Sequence, residues 1–237
     1  GPTDDVRTVM TVHNLAFQGH FGFDIFHRLM LPDHSFGESL EYFGGIGYLK
    51  AGLATADMIT TVSPTYAQEI RTTAYGMGLD GLLQARASSL VGILNGIDTE
   101  TWDPADDPAL VRNYTASSLH LRRENRRAIE ERFGLDDSAG PLFAVVSRLT
   151  WQKGMDMLQA VIDRLVEDGG KLAVLGSGEA EIENAFRGAA MRHPRRVGLV
   201  TGYNEPLSHL MQGGADVMLV PSRFEPCVLT QLYGLRY

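Results

Sequence analysis

Two cations and one carboxylate stand where strands give way to helices. The connection Ser147-Arg148-Leu149-Thr150-Trp151-Gln152-Lys153-Gly154 follows an apolar run and carries Arg148 and Lys153 five positions apart. On one turn they can converge on a single group, and two cations at a helix N-terminus form a pocket suited to a diphosphate. A second connection, Val220-Pro221-Ser222-Arg223-Phe224-Glu225-Pro226-Cys227-Val228-Leu229-Thr230-Gln231, follows the apolar run 217–220. Pro221 ends the strand, Glu225 brings a carboxylate, and Pro226 fits the first helical position, where no N–H is needed. The amides from Cys227 to Thr230 are then expected to be free to bind an anion. A diphosphate pocket beside an acid suits transfer of a group from an activated donor. Taken singly, each connection also reads as an ordinary loop with solvated charges. Their shared position at one edge of one sheet is what favours chemistry.

Other motifs fail on their residues. Gly176-Ser177-Gly178 opens like a dinucleotide fingerprint, but Glu181 occupies the third glycine position. Gly169-Gly170-Lys171 has no following Ser or Thr and enters a strand, so it is no P-loop. There is no Gly-x-Ser-x-Gly elbow, and Cys227, the only cysteine, has no obvious base nearby. His13, His20, His27 and His34 recur every seventh position, but Gly19, Gly22 and Pro32 break any helix through them. With no His-x-x-x-His and no cysteine ligand pair, no metal site is expected.

The elements that must hold the two loops repeat as strand, helix, strand. Four apolar runs (142–146, 172–175, 197–200 and 217–220) alternate with amphipathic segments. One segment turns Met155, Leu158, Val161, Ile162 and Leu165 inward, another Ile182, Ala185, Phe186, Ala189 and Ala190. That order predicts a doubly wound parallel sheet with its site at the carboxyl ends of the strands. In the first half, strands are expected at 6–12, 58–62 and 90–94, which implies a second parallel sheet. Ser63-Pro64 reads as an N-cap and first helical residue, with Tyr66, Ala67 and Ile70 facing inward. Residues 38–56 form a helical candidate weakened by Gly44, Gly45 and Gly47. A polar stretch with Pro104, Pro108 and Asp106-Asp107 marks the domain boundary. The expected division is a first domain at 1–97, a linker at 98–118 and a second domain at 119–237. The dense Arg and Glu of 119–133 alternate in sign and read as a solvated helix face.

Composition narrows the partners. With 237 residues, 44% of them hydrophobic, the chain can bury a sizeable core. A net charge of −8 argues against broad binding to nucleic acid or anionic membranes. No apolar run reaches the ~20 residues of a membrane span, and no signal peptide is visible. One cysteine excludes an internal disulfide framework and fits a reducing compartment.

Six ordered segments resemble bacterial glycogen synthase and plastid starch synthase. They are His13-Asn14-Leu15-Ala16-Phe17-Gln18-Gly19, Tyr48-Leu49-Lys50-Ala51-Gly52-Leu53, Thr61-Val62-Ser63-Pro64, Leu94-Asn95-Gly96-Ile97-Asp98, the Arg148–Lys153 connection and the stretch from Pro221 to Gln231. The resemblance implies an α/β chain of the GT-B type, with two Rossmann-like, doubly wound parallel-sheet domains and no cofactor or essential metal. It implies transfer of glucose from ADP-glucose to the non-reducing end of an α-1,4-glucan such as glycogen, with retention of configuration. Arg148 and Lys153 would then hold the donor diphosphate, and Glu225 would lie beside the transferred glucose. The amides of Cys227, Val228 and Leu229, with Thr230, would contact sugar and phosphate. His13 and Asn95 would hydrogen-bond the glucose from the other domain, and Tyr203 would stack on the nucleotide base.

The chain also departs from the family pattern. Val228 stands where the family has Gly, Gly45 and Gly47 replace bulkier polar residues, and the opening Lys-x-Gly-Gly loop is absent. The resemblance covers roughly the middle half of a synthase, so the 237-residue piece alone is expected to be nearly inactive. A catalytically impaired nucleotide- or glucan-binding homologue, and a related transferase using another nucleotide sugar, are the alternative readings. The expected compartment is the bacterial cytoplasm rather than a plastid, since no transit segment is visible.

Overall fold

The computed structural model describes residues 6–237, so residues 1–5 of the expected first domain lie outside it. The chain divides into two compact units, Gly1–Asn95 and Gly96–Tyr237.

The first unit runs through β1 (Val9–Val12), β2 (His20–Phe21), β3 (Glu41–Tyr42), β4 (Gly45–Gly47), α1 (Tyr48–Thr55), β5 (Met58–Thr61), α2 (Pro64–Glu69), α3 (Asp80–Ala85) and β6 (Leu90–Gly92). Strands β1, β5 and β6 form a parallel sheet in that order, with Val12 opposite Thr61 and Thr61 opposite Gly92. Helix α2 starts as its sequence predicts: Pro64 opens it and the Ser63 hydroxyl accepts from the Tyr66 amide at 3.0 Å. Tyr66, Ala67 and Ile70 are buried beneath it. The Arg86 guanidinium closes α1 by donating to the carbonyls of Leu53, Ala54, Ala56 and Asp57 at 2.5–3.2 Å, which satisfies acceptors that a helix end leaves open.

The helix expected over 38–56 is reduced to α1. Ahead of it, Phe36–Leu40 forms one wide helical turn, and β3 and β4 make a hairpin turned by Phe43 and Gly44, whose φ values are 47° and 78°. Gly45 and Gly47 therefore do not loosen a helix. A Cβ on Gly45 would lie 2.4 Å from the Phe21 carbonyl oxygen, and one on Gly47 would lie 2.7 Å from the Tyr42 Cβ. Only glycine lets β2, β4 and β3 close into their small antiparallel sheet.

The second unit contains α4 (Arg122–Phe133), β7 (Leu142–Val146), α5 (Met155–Gln159), α6 (Ile162–Glu167), β8 (Lys171–Gly176), α7 (Ala180–Arg192), β9 (Val197–Thr201), α8 (Glu205–Gly214), β10 (Val217–Met218) and α9 (Leu229–Arg236). Its four parallel strands are ordered β10-β7-β8-β9. Side chains alternate between two covered faces. Val145, Leu172 and Val174 pack with Met155, Leu158, Ile182 and Phe186, whereas Leu142, Ala144, Ala173 and Leu175 pack with Ile129, Phe133, Leu207 and Met211. Helices α5, α6 and α7 thus cover one face, and α4 and α8 the other. Two details differ from the sequence pattern. The helix expected through Leu165 breaks at Val161, which turns out to solvent at φ −114° and ψ 0°, and Ala185 also faces outward.

Residues 98–118 belong to the second unit and are folded onto it. Leu110 and Tyr114 are buried with Tyr237, and the Asn125 side chain bonds the amide and carbonyl of Arg112 at 2.9 and 2.8 Å. Trp102 packs against the same cluster, whereas Val111 is left exposed.

At the amino-terminal edge of the sheet, Lys171 is fully buried. Its ammonium donates to Glu130 at 2.5 Å and to the carbonyls of Asp136 and Ser138 at 2.9 and 2.8 Å. Arg126 donates to the same Glu130 oxygen at 2.9 Å and to Asp216 at 2.7 Å. Replacing Lys171 by Met removes one partner of a buried charge while Arg126 still holds Glu130. The loss is expected at about 3 kcal/mol, the lower end for a broken buried pair, and is measurable in the urea unfolding of the second unit.

Candidate active site

The ladder between β10 and β7 places the two chemical loops side by side. Val217 lies opposite Phe143 and Met218 opposite Ala144, both strands running the same way, so their carboxyl ends emerge together. Beyond them the loops are laced by backbone. The Arg223 amide donates to the Gln152 carbonyl at 3.0 Å, and the Gln152 side-chain amide donates to the Phe224 carbonyl at 3.4 Å. Gly154 has φ +67°, and a Cβ on it would lie 2.0 Å from the Pro221 carbonyl oxygen.

Between the loops the Lys153 ammonium donates to Oε1 of Glu225, and the Ser222 hydroxyl donates to the same oxygen at 2.7 Å. The two side chains are only 19% and 12% exposed, so the pair is largely shielded from solvent, where charges interact more strongly. It borders a cavity of about 190 Å³ that is also lined by Cys227, Val228, Leu229 and Thr230.

A larger cavity of about 420 Å³ opens at the carboxyl ends of β7, β8 and β9 and shares Val146, Ser147 and Thr230 with the smaller one. Arg148 lines it, exposed, its guanidinium without a hydrogen-bond partner among the described residues. Its apolar wall is a stack of rings: Trp102 lies between His209 and Tyr233, 3.6 Å from each. Tyr203 stands at its rim, 87% exposed, with its hydroxyl donating to Glu205 at 3.1 Å; that bond pushes the phenol pKa up. Gln212 also lines it, and the Oε1 of that side chain is buried without a partner.

Helix α9 begins at Leu229, not at Pro226. Pro226 is buried ahead of it, and Val228 precedes the first turn with φ −95° and ψ 85°. The negative φ lies outside the left-handed region that favours glycine, so the backbone there does not require glycine. The first amides of α9 still lack intrahelical acceptors, as at any helix start.

In the first unit, His13 follows β1 and Asn95 lies beyond β6, both at the carboxyl edge of that parallel sheet. His13 is exposed, and neither side chain has a hydrogen-bond partner among the described residues. Ser222, Trp102, Gln212 and Tyr233 join the expected site residues. No role for Tyr233 emerges from the sequence; its spacing of three from Thr230, which puts both on one face of α9, is the signal that could have found it. Trp102 was hidden because its segment reads as a linker.

The family described as the starch synthase catalytic domain matches residues 1–85. Glycogen synthase 1 of Rhizobium meliloti is 59% identical over 238 aligned positions, covering 100% of this chain and 50% of the relative. Glycogen synthase of Mesorhizobium japonicum is 61% identical over 231 residues, 97% of this chain and 48% of the relative. Over its full length, the chain is similar to these bacterial glycogen synthases. The solved catalytic domain of starch synthase IV from Arabidopsis thaliana, bound to ADP and acarbose, superposes with a TM-score of 0.90 at 34% identity, covering 99% of this chain and 50% of that one. The fold is accordingly that of the GT-B synthases: α/β, with parallel sheets. The chain spans about half the length of the curated relatives it matches. None of its helices, among the described residues, is long and apolar enough to cross a membrane.

Next to the paired charges, a hydrogen bond from Arg223 holds the Asp156 carboxyl below the usual aspartate range. In a carboxyl-detected NMR titration, Asp156 is expected to lose its proton below about pH 3.9 and to shift upward, toward that value, in an Arg223→Ala variant.

Proposed function

We propose that the protein to which this chain belongs transfers glucose from ADP-glucose to the non-reducing end of an α-1,4-glucan, with retention of configuration. The observation that carries this reading is the shielded Lys153–Glu225 pair on the smaller cavity with the unpartnered cation Arg148 on the adjoining larger one. When a glycosyl–phosphate bond breaks, negative charge grows on the departing diphosphate and positive charge on the sugar ring. Lys153 and Arg148 supply cations for the first, and Glu225 supplies an anion for the second. The first amides of α9, after Cys227 and Val228, add donors for phosphate oxygens near Thr230. The larger cavity has the polarity of a nucleoside: an aromatic wall and rim for a base, and the buried Gln212 oxygen as acceptor for a hydroxyl. His13 and Asn95 are assigned to the glucose hydroxyls. The relatives are bacterial glycogen synthases, and a bacterial cytoplasmic location goes with this reading.

In the full-length protein, ADP-glucose and glycogen are expected to give glucan extension. Turnover of a different sugar nucleotide, with none of ADP-glucose, would overturn the reading. Lys153→Ala is expected to slow transfer by roughly 10- to 100-fold, the loss of one charge-assisted hydrogen bond in the transition state. Tyr203→Ala should weaken ADP binding by about 1–3 kcal/mol in calorimetry, the range for losing one stacked base.

The alternative of an impaired homologue rests on Val228, whose side chain lines the cavity beside Glu225. Its negative φ, which does not call for glycine, speaks against that alternative. Val228→Gly in the full-length protein is expected to keep transfer within about tenfold of the parent; a rise beyond about 100-fold would favour impairment instead.

A further inference from the structure

Lys153 and Glu225 sit on different loops, each joined to its strand by a single stretch of backbone, and a long lysine side chain loses much freedom when held at one point. The bonds at Gln152 tie the two loops at one point. The side chain two residues before Glu225 ties them again, on both sides of Lys153. One Arg223 nitrogen donates to the Trp151 carbonyl at 2.7 Å and to Asp156 Oδ1 at 2.6 Å, while the other donates to Asp156 Oδ2 at 2.7 Å. The guanidinium also lies 4.3 Å from the centre of the Trp151 ring. Trp151 and Asp156 flank Lys153 on either side, so one planar group grips both ends of the short arc that carries the lysine.

We propose that Arg223 is a positioning residue for transfer: through Asp156 and Trp151 it holds the Lys153 ammonium at Glu225, ready for the donor diphosphate. This rests on the function proposed above. The bidentate fork is specific to arginine, because a lysine at the same place offers a point charge that cannot engage both carboxylate oxygens and the carbonyl in one plane. Arg223 lines neither the cavity of the paired charges nor the larger one, so its loss is expected to act on turnover rather than on nucleotide binding.

The test is a cycle of variants in the full-length enzyme, assayed with ADP-glucose and glycogen. Arg223→Ala is expected to lower kcat about 10- to 100-fold with KM for ADP-glucose and the calorimetric Kd for ADP within about threefold. Arg223→Lys should recover little of that loss. Asp156→Asn should lower kcat about 5- to 20-fold, and the double variant should be no worse than Arg223→Ala alone, since both break one contact. A kcat for Arg223→Ala within about twofold of the parent, or losses that multiply in the double variant, would refute the proposal. Should Arg223→Ala fail to fold, the isosteric Asp156→Asn decides on the same twofold criterion. A parent enzyme that transfers nothing would refute the function and not the latch. In that event the latch is judged by a crystal structure of Arg223→Ala: a Lys153–Glu225 pair still closed there refutes it, and an open pair supports it.

Discussion

The position of the acid is set by two residues of parallel pairing. Val217 and Met218 are the two residues of β10 in register with β7, held by the Asp216 and Leu219 amides on the carbonyls of Leu142 and Ala144, and that register places the loop after one strand against the loop after the other. Everything at the candidate site follows from it. The backbone of 223 meets that of 152, Lys153 reaches Glu225, and Thr230 comes to the seam shared by the two cavities. A shift by one residue would turn each side chain of β10 to the opposite face and carry the loop with it. The burial of Met218 against the core on one side of the sheet opposes such a slip.

The same strands carry different work at their two ends. Lys171, Glu130, Arg126 and Asp216 knit the amino-terminal edge, where β8 begins and where the Leu142 amide donates to Asp216 at 2.7 Å. These charges are satisfied by one another and by backbone. At the carboxyl edge Arg148 has no partner, Gln212 keeps a bare oxygen, and an ion pair faces a cavity. Buried polar atoms left without partners are costly in a purely structural setting, and Thr150 Oγ1 and Gln212 Oε1 are two such atoms in the second unit, on the loop after β7 and on the wall of the larger cavity, which marks that edge as the place for a ligand.

Much of this was legible in the sequence because the relevant signals are local. Apolar runs with turn residues after them gave the parallel strands, and Ser63-Pro64 fixed the start of α2 to the residue. The loops bearing Arg148, Lys153 and Glu225 could be placed at one edge from strand order alone. What was not legible depends on distant partners. The hairpin at 41–47 exists because Gly45 meets the Phe21 carbonyl across β2, which no helix-period count within 38–56 can reveal. The polar segment around Trp102 reads as a linker until His209 and Tyr233, over a hundred positions later, supply the faces of its stack. Pro226 is a good first helical residue by chemistry, but it lies ahead of α9, whose first turn starts only after Val228.

Gly154 has a consequence for how such a site can vary. The Pro221 carbonyl occupies the space a side chain would need, and the backbone there adopts a left-handed turn that favours glycine. A single methyl group at 154 would act as a wedge between the loops, although it would touch neither charge. The geometry of the ion pair is written partly in what residue 154 lacks.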